Sequence, residues 1–307
     1  MKTSRRTFIR TGAMAVAGAV IMREQLMAEP GEKKKKKKGM VALQLYSIRD
    51  DMGKDALGSL KQVAAMGYRY VEHANYVQGK FYKYDPKEFR KILDDLDLKM
   101  VSGHTGFGPR HWDETKNDFT DLWKKLVDDA AILGQLYVVS PSMEQSQYKT
   151  RDDLMKTIEQ FNKCGDLCHS KGMKFGYHNH DFEFTTEFEG KKMFDIIMDT
   201  IDRNKVVIQL DTGNLYNGGA IALDVMNKYK GRFENLHVKD EIKSSGGNEK
   251  YESCILGEGI VNIKNLLELA TKTGGTELYV IEQESYQGKT PMECVRRDLE
   301  IMKSWGY

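Results

Sequence analysis

Short runs rich in β-branched and aromatic residues alternate along the chain with longer segments in which apolar positions recur every three or four residues. From residue 41 onward the short runs predict strands over 41–47, 69–73, 99–104, 136–140, 174–178, 206–210, 235–238 and 277–281. The segments between and after them predict helices over 55–66, 86–96, 114–133, 152–171, 193–201, 220–229, 263–273 and 291–303. Gly67, Gly134 and Gly172 each fall where a helix has to end before the next strand begins. Strands that alternate singly with amphipathic helices are parallel and joined by helical crossovers. Eight such units in this length predict a single-domain (β/α)8 TIM barrel. A doubly wound open sheet is the competing α/β architecture, but the chain has neither a GxGxxG turn after its first strand nor a GxxxxGK[ST] loop.

The 307 residues are 40% hydrophobic with 28 Gly and 5 Pro, which allows a large buried core and excludes collagen-like, mucin-like and disordered classes. Four cysteines, Cys164, Cys168, Cys254 and Cys294, are too few for a disulfide scaffold and form no CxxC pair. Cys164 and Cys168 are four apart in a predicted helix, so they share a face and read as packing.

The first 28 residues stand apart from the barrel pattern. Ser4-Arg5-Arg6-Thr7-Phe8-Ile9-Arg10 precedes an apolar run, Ala13 to Met22, that is too short to span a bilayer comfortably, and Leu26-Met27-Ala28 offers a small-residue cleavage site. This segment resembles a twin-arginine export signal, which implies the twin-arginine export machinery as a partner and a periplasmic location without stable membrane insertion. Residues 29–40, with six consecutive lysines at 33–38, read as a solvated linker, and 41–307 as the barrel. The whole chain carries a net charge of +2, but from Gly39 onward 36 Lys and Arg face 42 Asp and Glu, about −6. An acidic domain argues against nucleic acid as a partner. The oligomeric state is left open by the sequence.

Six of the eight predicted strands end in ionisable residues: Glu72 and His73, His104, His178 and His180, Asp211, His237 and Asp240, Glu282 and Glu284. In a barrel these gather at one mouth, and a mouth lined by His, Asp and Glu suits a divalent metal. Strand alternation sends His178 and His180 of the HNHDFEF run to one side, available for metal ligation or proton transfer. It turns His73 away from Glu72, so His73 reads as structural. The stretch Ser244-Ser245-Gly246-Gly247-Asn248, with Gly257 and Gly259 beyond it, predicts a long loop after the seventh strand that covers the mouth. A divalent ion that chelates a hydroxyl and an adjacent ketone oxygen stabilises the enediolate formed by proton removal. Reprotonation then gives epimerisation or isomerisation, and expulsion of a β-substituent gives elimination.

LQLYSIRD at 43–50, HNHDFEF, LDTGN, HVKD and IEQE together resemble the sugar phosphate isomerase/epimerase family with its xylose isomerase-like TIM barrel, over about residues 41 to 305. Inosose dehydratases, ketose 3-epimerases and apurinic-site endonucleases belong to the same superfamily. The resemblance implies an enzyme acting on a small-molecule carbohydrate, with one divalent metal ion (Mn, Co, Mg or Zn) held by His178, Asp211, His237 and Glu282. Many epimerases carry a glutamate where this chain has His178, and there that glutamate is both ligand and base. With histidine at that position, His180 or Glu183 takes the base's role beside Glu282, and a dehydratase-like or keto-sugar lyase-like reaction becomes more attractive. Glu72, His104 and Lys239 are expected to hold substrate hydroxyls, and Tyr46, Phe107, Trp112 and Tyr286 to floor the sugar site. A non-catalytic sugar-binding barrel and an apurinic-site endonuclease are the competing readings. The acidic domain and the export signal weigh against the endonuclease.

Overall fold

The computed structural model describes residues 39–246 and 249–307. The expected signal, 1–28, and the lysine block lie outside the described residues. Eight parallel strands close a barrel: β1 (Met40–Gln44), β2 (Tyr70–His73), β3 (Lys99–His104), β4 (Tyr137–Ser140), β5 (Lys174–His178), β6 (Val206–Asp211), β7 (Asn235–Val238) and β8 (Leu278–Ile281). Each pairs with its neighbours in chain order, and β8 returns to β1 with Leu43 opposite Ile281. Eight helices cover the outside: α1 (Ala56–Met66), α2 (Pro86–Asp95), α3 (Asp121–Leu133), α4 (Arg151–Ser170), α5 (Met193–Thr200), α6 (Ala222–Lys228), α7 (Ile263–Thr273) and α8 (Pro291–Ser304). The expected (β/α)8 barrel is the fold, and the open sheet is excluded by closure.

Strand alternation sorts the side chains into two cores. Leu43, Val71, Met100, Val138, Phe175, Ile208, Leu236 and Ile281 face outward and pack with the apolar stripes of the helices. Ala42, Val101, Tyr137, Val139, Val207, Leu278 and Val280 form a separate buried cluster that fills the lumen. One step further along the same faces the lumen turns polar, at Gln44, Glu72, Gln209, His237 and Glu282, all nearly or fully buried. The helices end as their sequences require: α1 and α3 stop at Gly67 and Gly134 with φ of 98° and 77°, the left-handed region that favours glycine.

Three boundaries differ from expectation. β1 stops at Gln44 because its side-chain oxygen accepts the Tyr46 N–H (3.1 Å) and starts a 3-10 turn, Leu45–Ile48. α3 begins at Asp121 rather than 114, because Asp113 Oδ1 accepts the N–H groups of Thr115 and Lys116 (3.0 and 3.2 Å) and stabilises a tight turn. That turn joins Trp112–Asp113 to Asp118–Phe119 as a hairpin. The loop expected after the seventh strand contains an antiparallel hairpin, Asp240–Lys243 with Tyr251–Cys254. Its anchor is Asp240, whose carboxylate accepts the N–H groups of Gly257 (2.8 Å), Gly259 (3.1 Å) and Val261 (3.0 Å). Cys164 and Cys168 are buried on one face of α4 with free thiols, as the helical spacing implied. Among the described residues no helix is long and apolar enough to cross a membrane.

Candidate active site

The polar layer of the lumen is built around Glu72, which is fully buried. Its Oε1 accepts from Gln44 Nε2 (2.7 Å) and His237 Nε2 (2.6 Å), and lies 3.2 Å from His104 Nε2. Its Oε2 accepts from Gln209 Nε2 (2.9 Å). Burial pushes the carboxyl up, but the neighbouring His104 and His237 and their donated bonds outweigh it and hold Glu72 at about 2. Because the Gln209 amide nitrogen is committed to Glu72, its Oε1 faces the imidazoles and accepts from His104 Nε2 (2.7 Å) and His178 Nδ1 (3.1 Å). That donation by His178 leaves the lone pair of its Nε2 facing Asp211 Oδ2 at 3.8 Å.

Above this layer Asp211 Oδ2, His237 Nδ1 and Glu282 Oε2 converge within 4.8 Å of one another, and His104, His178 and His237 form a second such group. Asp211 Oδ1 is taken by the N–H groups of Gly213 (2.8 Å) and Asn214 (2.7 Å), whereas buried Oδ2 accepts no hydrogen bond. A mixed imidazole and carboxylate set with a buried oxygen that accepts no hydrogen bond fits a divalent cation of the zinc, manganese, cobalt or magnesium group. Burial opposes protonation of His178, and the charges of His237 and His104 hold it lower still, so its imidazole is neutral as a ligand must be. His237 is the opposite case: burial lowers it, but Glu282 and Glu72 outweigh burial and lift it to about 10, so a cation would bind at Nδ1 by displacing its proton. Lys239, 1% exposed, brings its ammonium to Glu282 Oε2 (2.8 Å), Glu284 Oε1 (2.8 Å), Asn214 Oδ1 (3.0 Å) and Asp211 Oδ2 (3.3 Å).

A cavity of about 700 Å³ opens over this cluster, lined by Tyr46, His104, Arg110, His178 and Glu282 among others. An adjoining cavity of about 490 Å³ shares His180, Asn214 and Glu284 with it. His180 follows β5, its ring 5.2 Å from that of His178, and its Nδ1 has no hydrogen-bond partner. Burial and the Lys239 charge both hold the His180 imidazole below its ordinary pKa.

The structure brings together His104, His178, His180, Asp211, His237, Lys239 and Glu282. It removes two of the expected residues from the reacting surface. Glu183 is fully buried and lines neither cavity. Its oxygens accept the Tyr177 hydroxyl and the His180 backbone N–H (2.9 Å), so it fixes the start of the short helix Phe182–Thr185 and the position of His180. Glu72, expected to hold substrate, lies below the cavity with every oxygen committed and supports His237 instead. Of the aromatics, Tyr46 is 43% exposed and lines the larger cavity, while Phe107 and Trp112 are buried in the outer core. Tyr286 donates to the Ser47 carbonyl (2.9 Å) and accepts from Arg49 (3.0 Å). His73 is buried against Phe81 (4.8 Å), as a structural residue, and burial lowers its pKa to about 3. Gln44, Gln209 and Asn214 were not foreseen as site residues. Gln209 was legible, since it precedes Asp211 by two on one strand and must share its face.

The match that decides the family runs from residue 60 to 305, over most of the chain, to the model described as xylose isomerase-like TIM barrel. The chain belongs to the xylose isomerase-like TIM barrel family. Within it, the chain is 26% identical over 226 residues to an inosose dehydratase of Clostridium perfringens, covering 68% of this chain and 72% of that one. It is 23% identical over 261 residues to an inosose dehydratase of Clostridium botulinum, covering 76% and 84%. Among solved structures it is similar to a sugar phosphate isomerase/epimerase from Parabacteroides distasonis, with a TM-score of 0.74, 27% identity, and 91% and 98% coverage of the two chains. The fold is shared with the IolI protein with a binding zinc atom, at a TM-score of 0.66, 14% identity, and 87% and 97% coverage.

Proposed function

We propose that this protein is a divalent-metal-dependent isomerase, epimerase or lyase that removes the proton next to a carbonyl of a sugar, keto-sugar or inosose. The observation that carries the reading is the convergence of Asp211 Oδ2, His237 Nδ1 and Glu282 Oε2 beside a cavity that the His180 imidazole also lines. The inosose dehydratase relatives and the sugar phosphate isomerase/epimerase structure support a carbohydrate as substrate.

Asp211, His237 and Glu282, with His178 beside them, would hold the cation, which when bound supplies Lewis-acid polarisation of a carbonyl and a neighbouring hydroxyl oxygen. His180 accepts the proton: its ring lines both cavities, burial and the Lys239 charge hold its imidazole below its ordinary pKa, and Glu183 fixes its backbone. Gln209 holds the tautomers of His104 and His178 through its single carbonyl oxygen. Lys239 supplies a fixed positive charge beside the same oxygens and stabilises an anion developing on the substrate. Export to the periplasm by the twin-arginine route belongs to the same proposal and rests on residues 1–28 alone.

The test is elemental analysis of the purified protein, followed by NMR detection of deuterium incorporation from heavy water into ketoses and inososes. About one equivalent of metal, with exchange or elimination that is lost in His180→Gln, supports the reading. A protein that binds no divalent cation and leaves every ketose and inosose unlabelled overturns it.

A further inference from the structure

The two cavities meet at the groups that would do the chemistry. His180, Asn214 and Glu284 line both, so the His180 side chain sits at a waist rather than at the bottom of a single pocket. Each cavity is by itself the size of a complete small-molecule site, at about 700 and 490 Å³. A substrate of one ring would fill one of them and leave the other to water.

The smaller cavity has a definite chemical character. Five carboxylates, on Asp181, Glu241, Glu249, Glu252 and Glu284, line it against two cations, Arg49 and Lys239. The Lys239 ammonium is already engaged by Asp211, Glu282, Glu284 and Asn214, and Arg49 donates to the Tyr46 carbonyl and the Tyr286 hydroxyl. Glu241 is 3% exposed, its Oε2 is closed off from solvent without a hydrogen-bond partner among the described residues, and burial with the neighbouring carboxylates lifts its carboxyl to about 8. A protonated carboxyl in the wall of the cavity both donates to and accepts from a sugar hydroxyl. Carboxylates accept strong bonds from sugar hydroxyls and repel phosphate and carboxylate groups.

We infer that the substrate is a neutral two-ring glycoside, its reacting ring in the larger cavity and its second ring in the acidic one, with its hydroxyls bonded to the carboxyl groups that line it. The inference rests on the carbonyl-enolising reading above and sharpens it, because work at the waist of a two-ring substrate is work next to the bond that joins the rings. It also sets the chain apart from enzymes of phosphorylated sugars by charge.

The experiment is calorimetric titration of the manganese-loaded protein with D-fructose, with the ketose disaccharides turanose and isomaltulose, and with fructose 6-phosphate. At least one disaccharide is expected to bind tenfold or more tightly than fructose, and fructose 6-phosphate no more tightly than fructose. Ser244→Trp, which fills the smaller cavity from its hairpin wall, is expected to cut the disaccharide advantage to less than threefold. Glu249→Gln, which removes a carboxylate from the lining, is expected to narrow the gap between disaccharide and sugar phosphate. Disaccharides that gain nothing over fructose, an advantage that survives Ser244→Trp, or preferred binding of the phosphate would each overturn the inference. Where fructose binds and exchanges deuterium but the disaccharides gain nothing, only the two-ring inference fails. Where no sugar binds and none exchanges, the enolising reading fails with it.

Discussion

Replacing Glu72 by glutamine tests whether the polar layer of the lumen exists to hold a metal ligand. Glu72 accepts from Gln44, His237 and Gln209, and among the described residues it is the only carboxylate that bonds His237 Nε2, the nitrogen facing away from Asp211 and Glu282. Glu72→Gln keeps the shape and removes the negative charge, and it turns an amide N–H toward at least one of three buried donors. The partner behind a ligating histidine is worth roughly 10- to 100-fold in metal affinity, or about 1.4–2.7 kcal/mol. A donor left facing a donor costs roughly 1–3 kcal/mol of stability in addition. The assay is titration of metal-stripped wild type and variant with Mn2+ and Zn2+, with circular dichroism to confirm that both are folded. The expected result is a Kd raised 10- to 100-fold for each ion and a lower melting temperature. An unchanged metal Kd together with a raised KM for a substrate would refute the reasoning and return Glu72 to a substrate-holding role.

Three further outcomes follow from named contacts. Asp298 is fully buried, with Oδ1 on the Leu256 N–H (2.9 Å) and Oδ2 unpartnered, and burial lifts its carboxyl to about 7. Since the folded value exceeds the unfolded one, its stabilisation is complete below about pH 4 and is lost as pH rises through 7, a span of roughly 4 kcal/mol. Urea midpoints of wild type minus Asp298→Asn should fall across that window, and a difference independent of pH would show the burial effect to be absent. Phe161→Ala removes a ring packed against Phe175 and Tyr177, both at 5.3 Å, and should cost about 3–5 kcal/mol in urea unfolding, whereas a loss under about 1 kcal/mol would contradict rigid packing behind β5. Glu183→Ala leaves the His180 N–H and the Tyr177 hydroxyl unpaired and should lower kcat while the metal equivalents stay at wild-type level, so a loss of metal would contradict its positioning role.

The barrel was legible because its information is periodic. Every predicted strand overlaps an observed one, and the apolar alternation that named them also separates the lumen cluster from the outer core. The candidate metal cluster was legible for the same reason, since Asp211, His237 and Glu282 lie at the ends of strands whose register and direction the fold determines. What the strand pattern did not carry is depth. Glu72 and Glu282 both end strands, yet β2 pairs with β3 through a register shift between Val71 and Glu72, and Glu72 finishes below the cavity. Glu183 escaped for a different reason. It lies beyond β5 in a four-residue turn whose direction is fixed by its own bonds to Tyr177 and His180, and no periodicity reports on that.

Lys239 ties the two halves of the site together. It reaches Glu282 and Asp211, two of the groups suited to hold a cation, and also Glu284 and Asn214, two of the three residues shared by the cavities. Two positive charges on the same oxygens repel at close range in a buried site. Glu284 and Asn214 are the partners that would remain to Lys239 were Asp211 and Glu282 to hold a cation. Occupation of the cluster and the charge presented at the waist are therefore coupled through one ammonium. That coupling gives the HVKD segment two separate duties: Lys239 sets the charge between the cavities, and Asp240 fixes through Gly257, Gly259 and Val261 the loop that follows the wall of the smaller one.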